Sequence, residues 1–211
     1  MPRVKTYSYK RDGNKSLSEN FKVSEFKCKD GTDKMLIDLE MIYILQEIRN
    51  ISGKSVTINS AYRTVSWNRK QGGVSNSYHL YGRAFDIKTA GLSLDDICAI
   101  ANTLGVKGII KYPTFVHIDS RANKYHATNT KKLMNYGKYT IPFKGTTLRS
   151  GSKGQEVALV QFKLNSLGYN CGIVDGIAGA KFDKAVKAYQ KANGLAVDGK
   201  VGTKTWTKLF S

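Results

Sequence analysis

The spacing of apolar residues predicts two amphipathic helices in the first half of the chain. In residues 33–51, apolar side chains recur at near-helical intervals, and Gly53 follows as a stop signal. Residues 93–104 begin with a Ser cap and a first-turn acid and end before Gly105, which predicts a second helix. Residues 1–16 are polar and basic, and they are predicted to form an arm or an edge segment.

Short runs with a different pattern predict strands between and after these helices. The β-branched run at residues 56–60 predicts one strand, and the alternation at residues 84–87 predicts another. Residues 108–119 are predicted to form two short strands around Tyr112 and Pro113. Residues 64–78 contain paired glycines and are predicted to be a helical fragment followed by a loop.

From residue 131 onwards the pattern of apolar and polar residues is different. Residues 131–146 are basic, carry Gly137, Pro142 and Gly145, and show little apolar periodicity, which predicts a linker between domains. Beyond it, Asp175-Gly176-x-x-Gly179 recurs as Asp198-Gly199-x-x-Gly202, and each Asp-Gly pair predicts a tight turn. Apolar periodicity predicts three helices here, at residues 156–167, 181–193 and 203–210.

These elements predict a chain of two domains. Residues 1–130 are predicted to form an α+β domain with a small, mostly antiparallel sheet, and residues 147–211 a compact unit of three helices. The second unit holds no histidine and is too small for much catalytic apparatus. Its apolar positions are therefore interpreted as core, and chemistry is sought in the first domain.

The charge of the chain narrows the class of partner. The formal net charge is +18, far above the roughly 2–8 that suits the solubility of a small domain. Residues 1–146 hold 24 Lys and Arg against 12 Asp and Glu, and residues 147–211 hold 10 against 4, so both domains are basic. Such a surface attracts nucleic acid, anionic lipid or the anionic polymers of a bacterial wall. Nucleic-acid binding is disfavoured because no zinc-knuckle or stacking-aromatic pattern is found.

The cysteines and the first residues of the chain bear on disulfide bonding and on membrane targeting. Cys28, Cys98 and Cys171 are odd in number and none forms a C-x-x-C pair, which predicts buried free thiols. The basic start is not followed by an apolar stretch, so neither a signal peptide nor a membrane span is expected. A monomer is expected.

Two histidines and one aspartate predict a metal site. In Ser77-x-His79-x-x-Gly82-x-Ala84-x-Asp86, the strand period places Phe85 and Ile87 in the core and Asp86 on the opposite face. In residues 115–119 the same alternation buries Val116 and Ile118 and presents His117 and Asp119 together. Ligation by two histidines and one carboxylate leaves a fourth tetrahedral position for water, as in catalytic zinc sites. Zinc lowers the pKa of that water from 15.7 towards roughly 7, which predicts hydrolytic chemistry.

The residues that carry this pattern resemble the D-alanyl-D-alanine carboxypeptidase group of zinc peptidases, whose site is shared with lysostaphin-type enzymes and the hedgehog signalling domain. The resemblance covers about residues 17–122 and includes the segment 58–64. It implies that His79, Asp86 and His117 bind Zn²⁺. It also implies that Arg63 binds a substrate carboxylate or stabilises the oxyanion.

The sequence departs from the family pattern at the position of the general base. Many relatives carry Glu where this chain has Thr114, and others carry His where it has Phe115. We predict Asp119 as the base or as the group that orients the water, and its alternative role is a hydrogen-bond partner behind a ligand histidine. Ser77 is predicted to give a supporting hydrogen bond and Tyr112 to line the cleft, while His126 is interpreted as incidental.

The second domain resembles the peptidoglycan-binding domain found beside many wall hydrolases. The resemblance rests on the two Asp-Gly turns and on short matches from Gly154 to Trp206, and it departs at Ile177 and Phe182. Together the two resemblances imply a hydrolase, of the phage-lysin or autolysin kind, that cuts an amide bond in the peptide stem of peptidoglycan. Release through a holin-type pore or by non-classical export would bring it to the wall.

Two alternatives stay open at this point. Within enzymes, a carboxypeptidase that trims terminal D-Ala and an endopeptidase that cuts inside the stem both suit Arg63. Outside enzymes, the absent Glu or His base fits a zinc-stabilised protein that binds the wall without turnover.

Overall fold

The structure is a computed structural model and describes residues 3–211. The first element of the described part is strand β1 (Val4–Ser8), which pairs antiparallel with β2 (Lys34–Asp38). The one-turn helix α1 (Tyr9–Asp12) follows β1 directly. The predicted arm at residues 1–16 is therefore an edge strand and a helical turn over its described part. Its first two residues lie outside the described range.

The helix predicted at residues 33–51 is wrong in its first third. Residues 34–38 form β2, and helix α2 spans Leu39–Ser52. Met35 and Ile37 are buried while Lys34 is exposed, so the segment follows a period of two. The Asp38 side chain accepts from the Glu40 N–H and caps α2, and Gly53 ends that helix in the left-handed conformation.

A five-stranded sheet forms the centre of the first domain, with the order β3-β4-β6-β5-β7. Three neighbouring pairs are antiparallel, and β5 pairs with β7 in parallel, so the prediction of a mostly antiparallel sheet is confirmed. The last strand was not predicted. The strands are β3 (Val56–Ser60), β4 (Ala84–Thr89), β5 (Gly108–Lys111), β6 (Val116–Asp119) and β7 (Tyr125–Thr128).

Helices cover one face of this sheet and leave the other for the site. Helices α2 and α4 (Leu94–Leu104) share a core with the apolar residues of β4 and β6. Helix α3 (Val65–Lys70) and a short 3-10 helix (Tyr78–Tyr81) lie between β3 and β4, and another 3-10 helix spans Val23–Phe26.

The predicted linker, residues 131–146, is hydrogen-bonded to both domains. The Asn102 side chain donates to the carbonyls of Tyr136 and Gly137, and the indole N–H of Trp206 donates to the carbonyl of Ile141 at 2.9 Å. Tyr136 and Ile141 are buried. The segment therefore lacks regular structure, but Tyr136 and Ile141 anchor it in the core.

The C-terminal domain contains helices α5 (Gln155–Ser166), α6 (Ala180–Ala192) and α7 (Thr203–Phe210). A buried glutamine holds each Asp-Gly turn of the repeat. The Gln161 carbonyl oxygen accepts from the N–H groups of Asp175 and Gly176, and Gln190 does the same for Asp198 and Gly199.

The two domains pack against each other. The Gln155 side chain donates to the carbonyl of Tyr43 at 2.7 Å, and the Val174 N–H donates to Glu40 at 3.2 Å. Lys107 and Lys163 each reach across the interface to a backbone carbonyl, of Ser166 and Thr103 respectively. Within the described residues, all three cysteines are free and buried, and no helix is long and apolar enough to cross a membrane.

Candidate metal centre

The strand register places two of the predicted ligands side by side. Asp86 on β4 lies directly opposite His117 on β6, and Phe85 lies opposite Ile118 on the buried face. Because neighbouring strands are hydrogen-bonded in register, the two polar side chains project from the same face of the sheet. The alternation of side chains along each strand, which predicted this face from the sequence, thus places Asp86 beside His117.

The third ligand comes from the 3-10 helix before β4. The Arg63 N–H donates to the His79 carbonyl at 3.1 Å, and the His79 Nδ1 atom lies 2.7 Å from the Ala61 carbonyl. Gly82 ends the helix with φ of 64°, and a Cβ at this position would lie 2.2 Å from the Leu36 carbonyl oxygen. The turn that aims His79 at the sheet therefore requires glycine.

Three ligand atoms converge on one point. His79 Nε2 lies 3.2 Å from His117 Nδ1 and 3.3 Å from Asp86 Oδ1, and His117 Nδ1 lies 2.9 Å from Asp86 Oδ1. Zinc bonds of 2.0–2.1 Å in tetrahedral geometry place neighbouring ligand atoms about 3.3 Å apart. The spacing and the chemistry of the donors therefore fit a zinc ion.

The remaining ring atoms of both histidines are committed elsewhere. A backbone carbonyl can only accept, so His79 donates from Nδ1 to Ala61 and turns its Nε2 lone pair towards Asp86. His117 Nε2 lies 3.0 Å from Asp119 Oδ2, and a carboxylate in this position favours a donating Nε2. Such outer partners fix the tautomer and the orientation of metal-binding histidines.

The hydrogen bonds around this point keep the two carboxylates ionised. Burial would lower the pKa of His117, but hydrogen bonds to Asp119 and Asp86 raise it to about 9. Burial would raise the pKa of Asp86, but hydrogen bonds with His117 and His79 hold it well below its ordinary value. Both carboxylates thus stay ionised, and each also pairs with an arginine, Asp86 with Arg63 and Asp119 with Arg121.

Asp119 lies behind His117 rather than in the cleft. It is fully buried, and its two oxygens accept from the side chain of Arg121, with Nε to Oδ1 at 2.8 Å. Burial would raise the pKa of Asp119, but the hydrogen bonds from Arg121 and His117 lower it to about 2. The geometry therefore argues against the predicted base role, because Nδ1 and Nε2 of one imidazole point in diverging directions. It favours the alternative role, a partner that orients His117.

Arg121 also lies at the site, although no sequence pattern predicted it. Its guanidinium lies 5.1 Å from the Tyr78 ring centroid and 4.8 Å from the Tyr125 ring centroid, so it is held between two aromatic faces. No local pattern marks it, and the only available signal was its position two residues after Asp119.

The other predicted site residues lie at the cleft with different contacts. Arg63 donates from Nη2 to Asp86 Oδ2 at 2.7 Å and from Nε to Ser60 Oγ at 2.8 Å. It therefore supports a ligand, while it also lines the cleft. Tyr112 lines the cleft and stacks on Phe115 with 4.4 Å between ring centroids. Ser77 lines the cleft as well, and its hydroxyl makes no hydrogen bond within the described residues.

The cleft itself has a volume of about 650 Å³. Among its described lining residues, Asp86 is the only acid, whereas Lys29, Arg63, Arg121 and Lys131 contribute positive charge. His126 is not part of it. That residue lies on β7, with Nε2 3.1 Å from the Val106 carbonyl, which agrees with its interpretation as incidental.

Comparison with known proteins finds matches in two separate parts of the chain. Residues 17–119 match the family described as "Peptidase M15", and residues 153–209 match the one described as "Putative peptidoglycan binding domain". The chain is 33% identical over 88 residues to the peptidoglycan L,D-endopeptidase MepK of Escherichia coli K12, an alignment that covers 38% of this chain and 48% of that protein. It is 39% identical over 64 residues to the zinc D-Ala-D-Ala carboxypeptidase of Streptomyces albus G, covering 30% of this chain and 24% of that one.

A solved structure is also similar in sequence. The endolysin of Burkholderia phage AP3 shares 39% identity over 30% of this chain and 24% of its own, with a TM-score of 0.29. The chain spans less than half the length of each curated relative named here. Its two regions match separate families in the order that the fold shows, residues 17–119 the Peptidase M15 family and residues 153–209 the peptidoglycan-binding one.

Proposed function

We propose that this chain is a zinc-dependent peptidase that hydrolyses an amide bond in the peptide stem of peptidoglycan. The observation that carries the proposal is the triangle of His79, Asp86 and His117, with sides of 2.9–3.3 Å, at the base of a cleft in a Peptidase M15 domain. The peptidoglycan-binding domain would hold the enzyme on the wall and raise its local concentration there. The place of action would be the bacterial cell wall.

His79, Asp86 and His117 would hold the ion. When bound, zinc would polarise the scissile carbonyl and lower the pKa of a water molecule towards roughly 7. The protein fixes the three ligands through the Ala61 carbonyl, Asp119 and Arg63, each of which contacts one of them. This arrangement reduces the reorganisation that catalysis would otherwise require.

Arg63 has two tasks in this proposal. One nitrogen orients Asp86, and the planar guanidinium also faces the cleft, where it can bind a carboxylate of the peptide stem. Asp119 orients His117, and Arg121 keeps Asp119 ionised and in place. Tyr112 would contact the substrate from the wall of the cleft.

One observation favours a second candidate, a zinc-stabilised protein that binds the wall without cleaving it. The described lining of the cleft contains no carboxylate besides the ligand Asp86, and Thr114 and Phe115 stand where relatives carry a base. Zinc-dependent turnover separates the two candidates.

The test is digestion of purified muropeptides by the full chain, stripped with a chelator and then reloaded with zinc, followed by mass spectrometry. Cleavage that requires zinc and disappears in His79→Ala and His117→Ala is expected. The matched control is His126→Gln, which changes the remaining histidine and should retain cleavage. Loss of one alanine identifies a carboxypeptidase, and a cut inside the stem identifies an endopeptidase. Zinc binding without any change in the muropeptides would contradict the enzymatic proposal and favour the scaffold.

A further inference from the structure

A second cleft lies between the two domains. It has a volume of about 820 Å³. The first domain contributes the start of α2, the residues before β4, the loop after α4 and the residues after β6, while the second contributes the end of α5, the loop 168–174 and the start of α6.

The walls of this cleft are basic. Arg83, Lys107, Arg121 and Lys181 line it, against a single acid, Glu40. Glu40 accepts from the Val174 N–H, and its burial raises its pKa.

Lys107 and Lys181, like Arg83, form no ion pair within the described residues. Lys107 donates to the uncharged carbonyl of Ser166. An anionic ligand would therefore complete the charge balance of the cleft.

Polar and apolar groups are mixed along the same walls. Asn170 offers a side-chain amide, and the Ile173 side chain, 55% exposed, offers an apolar face beside Phe162. Sites for sugar-like and peptide-like ligands combine apolar surface with a few polar groups that fix orientation.

The cleft adjoins the metal cleft at one residue. Arg121 lines both, and its guanidinium lies between Tyr78 and Tyr125, with Asp119 behind it. Arg121 is therefore the point at which a polymer bound in one cleft would extend into the other.

The walls are held at a fixed separation. Gln155, Lys107 and Lys163 each donate across the interface to a backbone carbonyl. At Gly105 the domains approach so closely that a Cβ would lie 2.2 Å from Ser166 Oγ. The cleft is therefore a preformed feature rather than a gap between independent domains.

We propose that this interdomain cleft is a second substrate subsite, which binds a carboxylate-bearing sugar–peptide segment of the same peptidoglycan strand whose stem enters the metal cleft. This inference rests on the proposed function and adds to it. The subsite gives the enzyme a preference for peptide stems that are still attached to sugar.

The test compares two soluble substrates with the same scissile bond. One is a disaccharide-tetrapeptide prepared from bacterial sacculi, and the other is the same tetrapeptide freed of its disaccharide. The variant is Lys181→Glu at the cleft, and the matched control is Lys184→Glu, which makes the same charge change at an exposed position of the same helix outside the cleft. The measured quantity is the ratio of kcat/KM on the two substrates.

We expect wild type and Lys184→Glu to favour the sugar-bearing substrate equally. Lys181→Glu should lower the ratio by about fivefold, mainly through KM, since exposed charge pairs contribute up to about 1 kcal/mol each. Added salt should reduce the wild-type preference, because exposed charges are screened. An equal ratio in Lys181→Glu and Lys184→Glu, or no preference in wild type, overturns the inference.

Binding to the chelator-treated full chain, measured by calorimetry, separates the subsite from the proposed activity. If neither substrate is cleaved but Lys181→Glu alone weakens binding of the disaccharide-tetrapeptide, the activity fails and the subsite stands. If cleavage proceeds and binding is the same in both variants, the subsite fails and the activity stands. Stronger Lys181-dependent binding of poly(glycerol phosphate) than of the disaccharide-tetrapeptide overturns the assigned occupant.

Discussion

The Nε2 atom of His117 lies 3.0 Å from Oδ2 of Asp119, on the side of the imidazole away from Asp86 and His79. The imidazole ring of His117 thus connects the Asp119 carboxylate to Nδ1, the nitrogen that faces Asp86 and His79. We therefore expect a change in Asp119 to act through the orientation and basicity of His117, and not directly on a substrate.

Asp119→Asn should weaken zinc binding. The amide cannot balance the guanidinium of Arg121, and it is a poorer acceptor for His117, so the ligand loses its fixed orientation. Loss of such an outer partner costs about 10–100-fold in metal affinity or activity. Zinc affinity is measured by competition with a chromophoric chelator.

The control for this variant is Asp95→Asn, which alters an exposed acid paired with Lys111 and should leave zinc affinity unchanged. If Asp119→Asn bound zinc as wild type does but lost turnover with an altered pH–rate profile, Asp119 would act as the base and the orienting role would be refuted.

Gly82→Ala should disrupt the turn that places His79. The added Cβ meets the Leu36 carbonyl, and the left-handed backbone is unfavourable for alanine. Gly31→Ala is the matched control, since Gly31 also has positive φ but nothing lies within 4 Å of its Cβ. We expect Gly82→Ala to lose about 2 kcal/mol more than Gly31→Ala in urea unfolding, and to bind zinc less tightly. Equal losses in the two variants would refute the steric explanation.

Lys163 should make stability depend on pH. Burial, with Lys138 and Lys107 nearby, lowers its pKa from 10.5 to about 8 in the folded protein. Between these values the unfolded chain binds more protons, so the free energy of unfolding rises with pH. The destabilising contribution is complete below pH 8 and disappears as pH approaches 10.5.

The measurement is the free energy of unfolding at several pH values for wild type, Lys163→Met and the exposed control Lys184→Met. From pH 7.5 to 10.5, wild type should gain about 1–3 kcal/mol relative to Lys163→Met. Lys184→Met should follow wild type throughout. Parallel curves for wild type and Lys163→Met would show that the amine is solvated when the protein is folded.

The sequence predicted those parts of the site that depend on the alternation of side chains along a strand. The alternation around Asp86 and His117 decides which face each side chain occupies, and both segments are strands that pair in register. The same period of two is present at Met35 and Ile37. Because a helical pattern follows directly, the helix was predicted to include these residues as well. Asp38, as the cap, marks the boundary that the sequence analysis missed.

The remaining features depend on contacts between distant segments. Strand β7 is stabilised by parallel pairing with β5, and its four residues carry no alternation of their own. The interdomain cleft depends on lysines and a glutamine that donate to backbone carbonyls, and such contacts leave no mark on residue type. Arg121 acquires its position from two aromatic rings on different elements.

The repeat of the second domain provides a final prediction. Gln190 is 1% exposed; its carbonyl oxygen accepts from the N–H groups of Asp198 and Gly199, and its amide donates to the Asp198 carboxylate and the Lys200 carbonyl. Gln190→Leu keeps the approximate volume but leaves these buried groups without partners, at about 1–3 kcal/mol for each that stays unsatisfied. We therefore expect a loss of about 2–4 kcal/mol in urea unfolding and weaker binding to sacculi. Gln161→Leu should behave alike, because Gln161 holds the Asp175 turn in the same way. Gln71→Leu, at an exposed glutamine, controls for the change of residue type and should leave stability unchanged. Comparable stability of all three variants would show that the Asp-Gly turns form without the glutamines.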